Sequence, residues 1–508
     1  MIAPLALFSP MSAEGSHFEG IGFIAPELTL LLFALIGLVI DLVKRGKDSH
    51  LVGYVTLVGI AIAGFQLMVD FGTESQTVLG LIVVDNFGSF FKLFTLGSVA
   101  VVICFVMADR RERRDHIGEY YFLLISAAIG IFFMVGTNNL LLLMLGLELL
   151  SLASYSLAGF HKGDKKSAEA SMKYVVFGGL SAGIMLYGIS LLYGLTGTLD
   201  LTLMNSASET GIPRGLGAAV ATSPAAVGVA IVLILAGFAY KISVAPFHFW
   251  APDVYEGAPT PVTTFLAVAS KAAGFGALLR FLGALFAAEG TTGALAQYKD
   301  EIGMLMAVLA AVTMTLGNLA ALKQDSVKRM LAYSSIAHAG YVLMGVVAMN
   351  AAGFEAAMFY LAAYYFMNLG AFGFLLYFQG VTGEVTYESL KGMGPKAPLV
   401  SCAMIVFLIS LTGLPPSVGF IGKYYLFSAA IDADYTWLAL VAGLNSALSL
   451  FYYMKVARYL FLSEAAETTP RPQPVFTGFI VAMAVLTITF GIYVKPLVEW
   501  ARSSLDIL

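Results

Sequence analysis

Four charged side chains lie in stretches of this sequence that are otherwise apolar. Glu148 stands in LLLLMLGLELLSLASY, Lys241 ends VGVAIVLILAGFAYK, Lys271 stands in FLAVASKAAGFGALL, and Lys423 stands in GLPPSVGFIGKYYLF. A charge at the depth of a membrane core costs about 3 kcal/mol on insertion scales, so such residues face a bundle interior or a water path. Burial favours the neutral forms of carboxyl and amino groups, which can then exchange protons. These four residues therefore predict proton transfer.

Each of these residues also has a structural interpretation. For Glu148 the alternative is a fixed salt bridge between two helices. For the lysines it is snorkelling, in which the ammonium reaches the membrane interface along its flexible stem. Lys271 and Lys423 lie deep in their runs, which disfavours snorkelling for both.

Other ionisable residues are weaker candidates. His338 lies within RMLAYSSIAHAGYVLMG, and its near-neutral pKa suits proton passage, although a lone helical histidine often only bonds its neighbours. Lys173 and Lys92 lie closer to the starts of their runs, so proton relay and snorkelling are equal alternatives for both. Arg280 lies near the end of its run, and we expect it to snorkel. His248 lies beside a proline; together with Asp253 and Glu256 it is a candidate for lining an inner entrance, the alternative being loop and capping roles.

The composition indicates what class of protein carries these residues. Hydrophobic residues make up 59% of the 508 residues, and charged residues make up 12%. That balance excludes a soluble globule and predicts a polytopic membrane protein. The two cysteines, Cys104 and Cys402, have neither CxxC nor Cys/His spacing, and the sequence has no P-loop, no dinucleotide motif and no cluster of metal ligands. We therefore expect the chain to move ions rather than electrons, with no redox centre or metal of its own.

Apolar runs of about 20 residues, enough to cross a membrane core about 30 Å thick, occur along the whole chain. They predict fourteen helices, near 21–43, 51–70, 86–108, 118–136, 139–160, 168–194, 225–255, 260–285, 302–322, 329–349, 353–380, 398–431, 437–462 and 475–500. With the amino terminus outside, the loops of one face carry 17 lysines and arginines and those of the other carry 3. The positive-inside rule then places both termini outside and the basic loops 109–117 and 162–167 inside. Residues 1–20 lack the basic region of a signal peptide, and we expect them to be retained.

Two of the predicted helices are long and interrupted by proline. The seventh, 225–255, contains Pro246, and the twelfth, 398–431, contains the pair Pro415 and Pro416. Proline removes a helical hydrogen bond and obstructs the preceding turn, so both helices should break, the seventh close to Lys241. Their separation by five helices predicts two inverted repeats, since paired broken helices in inverted repeats are typical of ion translocators. The predicted units are helices 1–3 (1–117), the first repeat (helices 4–8, 118–285), the second repeat (helices 9–13, 302–462) and a final helix (475–508).

Several stretches resemble a known family. YKISVAPFHFWAPDVYEGAPTPVT and GLPPSVGFIGKYYLF closely resemble the antiporter-like subunits, of the N type, of the proton-pumping NADH–quinone oxidoreductase known as respiratory complex I. LLLLMLGLELLSLASY, DSVKRMLAYSSIAHAGY and FYLAAYYFMNLGAF support the resemblance, which covers roughly residues 20–500. It implies fourteen helices with inverted repeats and a polar axis formed by Glu148, Lys241, Lys271 and Lys423. At the position on helix 11 where L- and M-type relatives carry an ionisable group, this chain has Tyr364, Tyr365 and Asn368.

The resemblance also implies partners and a location. It implies a subunit of a proton-translocating oxidoreductase, with M-type and K-type neighbours and with NAD, FMN, iron–sulfur clusters and quinone held by other subunits. It implies a multi-pass protein of an energy-coupling membrane, with the bacterial inner membrane as the expected one. Such a protein is expected to bind no nucleic acid. The alternatives are an Mrp-type sodium/proton antiporter subunit and a structural membrane subunit that does not transport. Sodium would need converging oxygen ligands, and Glu148 is the only central carboxylate; a scaffold would have no reason to keep four charges in apolar helices.

Overall fold

The computed structural model describes residues 21–44, 49–109, 116–205, 215–287, 295, 298–464 and 473–505. Two features of the sequence-based prediction lie outside these residues: the amino-terminal segment 1–20 and the basic run of arginines at 110–114. Nearly all of the described chain is helical.

The amino-terminal part consists of three helices and a small hairpin. The helices are α1 (Ala25–Lys44), α2 (Ser49–Asp70) and α3 (Asn86–Ala108). Between α2 and α3, strands β1 (Gln76–Val78) and β2 (Ile82–Val84) pair antiparallel, with Thr77 opposite Val83. The hairpin was not predicted, because strands of three residues carry no readable alternation of apolar and polar side chains.

The middle of the chain contains the first broken helix. Its helices are α4 (Ile117–Val135), α5 (Leu140–Ala158), α6 (Lys165–Thr196), the short α7 (Leu201–Asn205) and α8 (Leu216–Thr222), α9 (Pro224–Lys241), α10 (Trp250–Gly257), α11 (Thr260–Phe265) and α12 (Lys271–Leu282). As predicted, α9 ends at Lys241, and an irregular segment joins it to α10. Helices α4 and α5 pack closely, because a side chain at Gly130 would meet the α5 backbone at 2.6 Å.

One break was not predicted. A π-helical turn, Leu266–Ser270, joins α11 to α12 and ends directly before Lys271. A second π turn follows α12 at Gly283–Ala287. Such turns widen a helix locally and are frequent at functional sites. The small residues of LAVASKAAG do not reveal the turn, since they are compatible with a regular helix.

The carboxyl-terminal half contains the second broken helix. Its helices are α13 (Lys299–Leu322), α14 (Val327–Val347), α15 (Ala351–Thr382), α16 (Pro398–Thr412), α17 (Val418–Asp432), α18 (Thr436–Leu462), α19 (Pro474–Ile492) and α20 (Lys495–Ser503). Gly413 ends α16 in the left-handed region, with φ of 88°. A β-carbon there would also lie 2.7 Å from the Lys423 side chain, so glycine is required for both conformation and space.

The fold class is confirmed as an all-α polytopic membrane protein. Thirteen of the described helices are long and apolar enough to cross a membrane. The fourteenth predicted crossing is the broken pair α16 and α17. The predicted last helix, 475–500, is wrong in one respect: α19 ends at Ile492, and α20 is a separate amphipathic helix that buries Leu497 and Ala501.

The loops after α3, α5, α10, α13 and α15 meet at one end of the bundle. Residues from all five loops, among them Asp109, His161 and Ser326, line a common cavity of about 230 Å³. We call this end the basic face, because its loops carry most of the lysines and arginines of the sequence. The other end is the opposite face.

Candidate proton-transfer site

The first buried lysine is placed by the break in the seventh predicted helix. Lys241, the last residue of α9, is 2% exposed. Its Nζ donates a hydrogen bond to the Ser151 hydroxyl of α5 at 3.3 Å. Glu148 lies one turn before Ser151 on the same helix and interacts electrostatically with Lys241, but the two charged groups do not form an ion pair within 4 Å.

Glu148 itself is half-buried, and its Oε1 is buried without a hydrogen-bond partner. The residues around it on α5 belong to an outward-facing apolar surface, with Leu145 56% and Leu152 59% exposed. The carboxyl group therefore lies between the Lys241 amine on one side and the lateral surface of the chain on the other.

Lys271 starts α12, immediately after the π turn. Its Nζ donates to the backbone carbonyl of Ser335 at 2.6 Å and is also bonded to the Ser335 hydroxyl. The side chain is buried. Both hydrogen-bond acceptors of Lys271 therefore belong to Ser335 of α14, and neither carries a formal charge.

Lys423 lies on α17, beyond the second break. Its Nζ donates to the Thr412 carbonyl at 2.9 Å and to the Ser446 hydroxyl at 2.7 Å. The ammonium also lies over the Tyr341 ring, 4.2 Å from its centroid. The Thr412 carbonyl is available because it belongs to the last turn of α16, where carbonyls have no partner within the helix. The break thus supplies an acceptor for the lysine.

His338 stands between the last two lysines in the middle of α14. Its Nδ1 is 2.6 Å from the Tyr360 hydroxyl, and its Nε2 is 3.2 Å from the Tyr453 hydroxyl. The Tyr453 hydroxyl is also bonded to that of Ser334. Lys271 bonds Ser335, about one turn before His338 on α14, and Lys423 lies over the ring of Tyr341, about one turn after it. The predicted relay residue is therefore buried, has both ring nitrogens bonded and lies on the stretch of α14 that contacts both lysines.

Comparison with known proteins agrees with this arrangement. Residues 137–449, which include the breaks and the three buried lysines, match the family described as "NADH:quinone oxidoreductase/Mrp antiporter, TM". The chain belongs to this family. It is 42% identical to NADH-quinone oxidoreductase subunit N 2 of Sorangium cellulosum, over 97% of this chain and 98% of that protein. It is 41% identical to subunit N of Chlorobium chlorochromatii, over 96% and 95% of the two chains.

A solved structure extends the likeness to three dimensions. A chain of the respiratory complex I from Thermus thermophilus with bound aureothin superposes with a TM-score of 0.77 at 32% identity, covering 93% of this chain and 98% of that chain. The resemblance drawn from the motifs around the two breaks is thus confirmed over nearly the full length. The antiporter-like fold is confirmed with it.

Two candidates from the sequence lie away from the buried lysines of this antiporter-like chain. Lys173 forms ion pairs with Asp253 at 2.6 Å and Glu169 at 2.7 Å near the basic face. His248 is buried against Phe249 in the first break, with its Nδ1 unpartnered. Of His248, Asp253 and Glu256, which were expected to line one entrance, Glu256 lines the cavity of the basic face, and His248 and Asp253 do not.

The carboxylates near that cavity form an ionic network. Arg329 of α14 bonds Asp253 at 2.8 Å and Glu256 at 2.7 Å, both on α10. Lys166 pairs with Glu384 at 2.7 Å and approaches Glu256 at 3.6 Å. Glu256, Lys166 and Glu384 are all cavity-lining residues. The network therefore joins segments of the two predicted repeats around a polar opening.

Two other buried cations are held by carboxylates. Arg280 was expected to snorkel, and that expectation is wrong: the side chain is 2% exposed and bonds Asp85 through NH1 and NH2 at 2.7 and 2.8 Å. Its Nε also donates to the Val135 carbonyl at 2.8 Å. Lys92 pairs with Glu27 at 2.7 Å. Both cations lie toward the opposite face.

Sequence reasoning missed the polar residues that contact the lysines. Ser151, Ser335 and Ser446 occur in apolar helices, where serine commonly bonds its own helix backbone and carries no distinct signal. Asn318 of α13 and Asn445 of α18 are also buried. A buried amide in a predicted membrane helix is unusual, and that signal could have identified both.

Proposed function

We propose that this chain is a proton-translocating membrane-arm subunit of a complex I-type NADH–quinone oxidoreductase. The observation that carries the proposal is the bonding of the buried lysines. Lys241, Lys271 and Lys423 lie on three different helices, and their ammonium groups bond only to hydroxyls and carbonyls. The other two buried cations in the part of the chain that the structure describes, Lys92 and Arg280, are paired with carboxylates.

That difference has a direct chemical meaning. A buried ammonium paired with a carboxylate is strongly stabilised, and separating the pair leaves an uncompensated charge. A buried ammonium held only by neutral oxygens loses less on giving up its proton, and the neutral amine can accept a hydrogen bond from the same hydroxyls. The three lysines are therefore suited to alternate between two protonation states, whereas Lys92 and Arg280 are suited to constant charge.

In the proposed cycle, Lys241 receives a proton from the basic face, Lys271 relays it, and Lys423 passes it toward the opposite face. Glu148 controls the first step, because a carboxylate near Lys241 stabilises the ammonium and a carboxylate that moves away does not. His338, bonded between two tyrosines, lies on the way from Lys271 to Lys423. Moving one charge outward costs about 2.3 kcal/mol per 100 mV of membrane potential, so proton affinity along the axis must change by more than tenfold.

The cavity of the basic face is the proposed entrance. It is lined by ionised side chains and by Thr260, whose hydroxyl donates to Gln379 at 2.7 Å. Lys173, with Asp253 and Glu169, belongs to the rim of this entrance, which is its proposed role instead of a relay inside the membrane.

Quinone reduction is proposed to occur in other subunits, and this chain responds to it through changes in charge. It is proposed to hold no cofactor itself, with NAD, FMN, iron–sulfur clusters and quinone in its partners. Glu148, open to the lateral surface of α5, is the residue through which a neighbouring K-type or M-type subunit would act on Lys241. We also propose that segments 118–285 and 302–462 are inverted repeats, which the similar placement of breaks and lysines supports.

The alternative of a sodium/proton antiporter can be tested on the isolated protein. We expect the chain to copurify in mild detergent with other subunits of an oxidoreductase, and vesicles containing it alone should not exchange sodium for protons. The physical reason is the ligand set: sodium needs several converging oxygens, whereas Glu148 is the one carboxylate among the described residues that acts on Lys241. Purification as a single chain with sodium-dependent proton release, measured with a pH-sensitive dye, would favour the antiporter.

We propose further that the basic face is cytoplasmic, that both termini are outside, and that the membrane is a bacterial inner membrane. The imbalance of lysine and arginine supports this orientation, although Lys495 at the start of α20 adds one basic residue to the sparsely charged face.

Two single cysteines would test the orientation, placed in a background lacking Cys104 and Cys402. Lys162→Cys, before α6, should resist an impermeant maleimide on intact cells, and Ala221→Cys, at the end of α8, should react. Both positions are exposed in the structure. Permeabilised cells provide the control, since both sites should then be labelled. Equal labelling of the two sites on intact cells would contradict the orientation.

A further inference from the structure

A buried amide on α13, Asn318, contacts three side chains from the neighbouring helices. Its Oδ1 accepts a hydrogen bond from the Tyr452 hydroxyl at 2.8 Å. Its Nδ2 donates to Asn445 Oδ1 at 3.1 Å and makes a longer contact, 3.4 Å, with the Tyr341 hydroxyl. Asn318 is 0% exposed, so losing any of these partners would leave a polar group unpaired away from water.

The orientation of this amide is fixed by its neighbour. Asn445 uses its own Nδ2 to donate to Thr315 Oγ1 and to the Val441 carbonyl, both at 3.0 Å. Only its Oδ1 then remains for Asn318, which must present Nδ2 to it. The Asn318 oxygen is thereby directed to Tyr452. Rotating either amide by 180° would exchange its oxygen and nitrogen atoms and would break some of these hydrogen bonds.

The two tyrosines held by Asn318 lead to different members of the proton axis. The Tyr341 ring lies 4.2 Å from the Lys423 ammonium and 5.6 Å from the His338 ring, measured at the ring centroids. The Tyr452 ring packs against that of Tyr453, with 4.3 Å between their centroids, and the Tyr453 hydroxyl lies 3.2 Å from His338 Nε2. Asn318 is therefore where a chain of side chains from Lys423 meets another from His338.

We propose that Asn318 is a positioning residue for proton transfer between His338 and Lys423. Its amide holds the hydroxyls of Tyr341 and Tyr452. The Tyr341 ring thereby stays in contact with both His338 and Lys423, and Tyr452 stays packed against Tyr453. The amide gives up no proton, and its contribution is the orientation of two hydroxyls. This inference rests on the proton-translocating function proposed above and adds a residue of α13 that touches neither the lysine nor the histidine.

The competing interpretation is that Asn318 only fastens α13 to α18, as buried amides do between membrane helices. The two interpretations differ in what a carboxyl group would do in its place. A protonated aspartic acid has a hydroxyl donor and a carbonyl acceptor, as the amide does, whereas an ionised aspartate can only accept. The ionisable groups that face this position are Tyr341 from α14 and Tyr452 from α18, with Lys423 behind Ser446.

The experiment compares variants of the whole complex in reconstituted vesicles, with proton uptake per NADH oxidised as the readout. Asn318→Leu should lower proton uptake about tenfold, the order of change expected when a buried hydrogen-bonding partner is removed. Thr487→Val is the control, because Thr487 of α19 is equally buried and its hydroxyl donates to the Met483 carbonyl of its own helix, at 2.8 Å. The control should keep nearly all of its proton uptake.

Asn318→Asp provides a second readout, the pH dependence of proton uptake, which should not change if Asn318 only holds α13 and α18 together. Its proton uptake should approach that of the unmodified complex at acidic pH and decline as the pH rises and the carboxyl group loses its proton. A pH profile parallel to that of the unmodified complex would overturn the proposal, as would Asn318→Leu pumping as well as Thr487→Val. If Asn318→Leu fails to assemble, the aspartate profile still decides between the interpretations.

The same vesicles separate this inference from the function on which it rests. Lys423→Ala serves as the reference variant in each series. If Lys423→Ala pumps normally, the proposed function of the axis fails. If Lys423→Ala loses pumping while both Asn318 variants behave like the unmodified complex, only the role of Asn318 fails.

Discussion

Replacement of Lys423 by alanine should leave the complex assembled and reduce its proton pumping by an order of magnitude or more, the effect expected when a proton-transferring group is lost. Lys423→Arg should not restore pumping. Arginine keeps the positive charge and can bond the Thr412 carbonyl, but it does not lose its proton in a protein. The measurement is proton uptake per NADH oxidised by the complex in sealed vesicles.

Lys92→Arg is a suitable control for that experiment. Lys92 is buried to a similar degree, but it is ion-paired with Glu27, so a permanent cation should serve equally well there. We therefore expect Lys92→Arg to pump normally. Full pumping by Lys423→Arg would mean that position 423 needs only a fixed charge, and the carrier role of this lysine would have to be abandoned.

The second large effect concerns Glu148 and Lys241. Glu148→Gln and Lys241→Ala should each lower quinone-linked proton transport about tenfold, and the double variant should lose little more than either single one. The reason is that, under the proposed function, both substitutions remove the same electrostatic interaction between the Glu148 carboxyl group and the Lys241 amine. Two independent tenfold losses would multiply to a hundredfold loss of proton transport in the double variant. If the double variant loses only about tenfold, the coupling free energy between the two residues is about 1.4 kcal/mol.

The two residues do not form a direct ion pair in the structure, which makes the double variant informative. If the losses multiply, Glu148 and Lys241 act independently, and the carboxyl group belongs to the circuit of the neighbouring subunit. Glutamine is nearly isosteric with glutamate, so the Glu148→Gln result reports on charge and not on packing. Assembly of each variant is checked by copurification of the other subunits.

Much of the fold could be predicted from the sequence because the membrane imposes simple rules. Helix α3 was predicted at 86–108 and is found at Asn86–Ala108, since apolar runs of that length have few alternatives in a bilayer. The break after Lys241 and the break at Pro415 were predicted from proline chemistry alone. The four charged residues stood out because their neighbours are apolar, and the three lysines are indeed buried.

What the sequence could not provide was the set of contacts between distant segments. Arg280 was misplaced because its partner, Asp85, lies 195 positions earlier in the chain, and nothing near Arg280 indicates it. The π turn before Lys271 arises from packing in a fully buried helix, where local sequence has little influence. Short helices such as α7 and α8 were missed because segments of 5 and 7 residues form mainly through tertiary contacts.

The outward position of Glu148 has a consequence for biogenesis. A newly inserted copy of this chain presents the apolar side of α5 to lipid, with the Glu148 carboxyl group at its centre. Hydrocarbon disfavours a carboxylate strongly, so we expect the group to be neutral until another protein covers that surface. Under the proposed function, the unassembled chain then lacks the negative charge that acts on Lys241. We therefore expect a subunit inserted ahead of its neighbours not to conduct protons, which would spare the gradient of the cell that is building the complex.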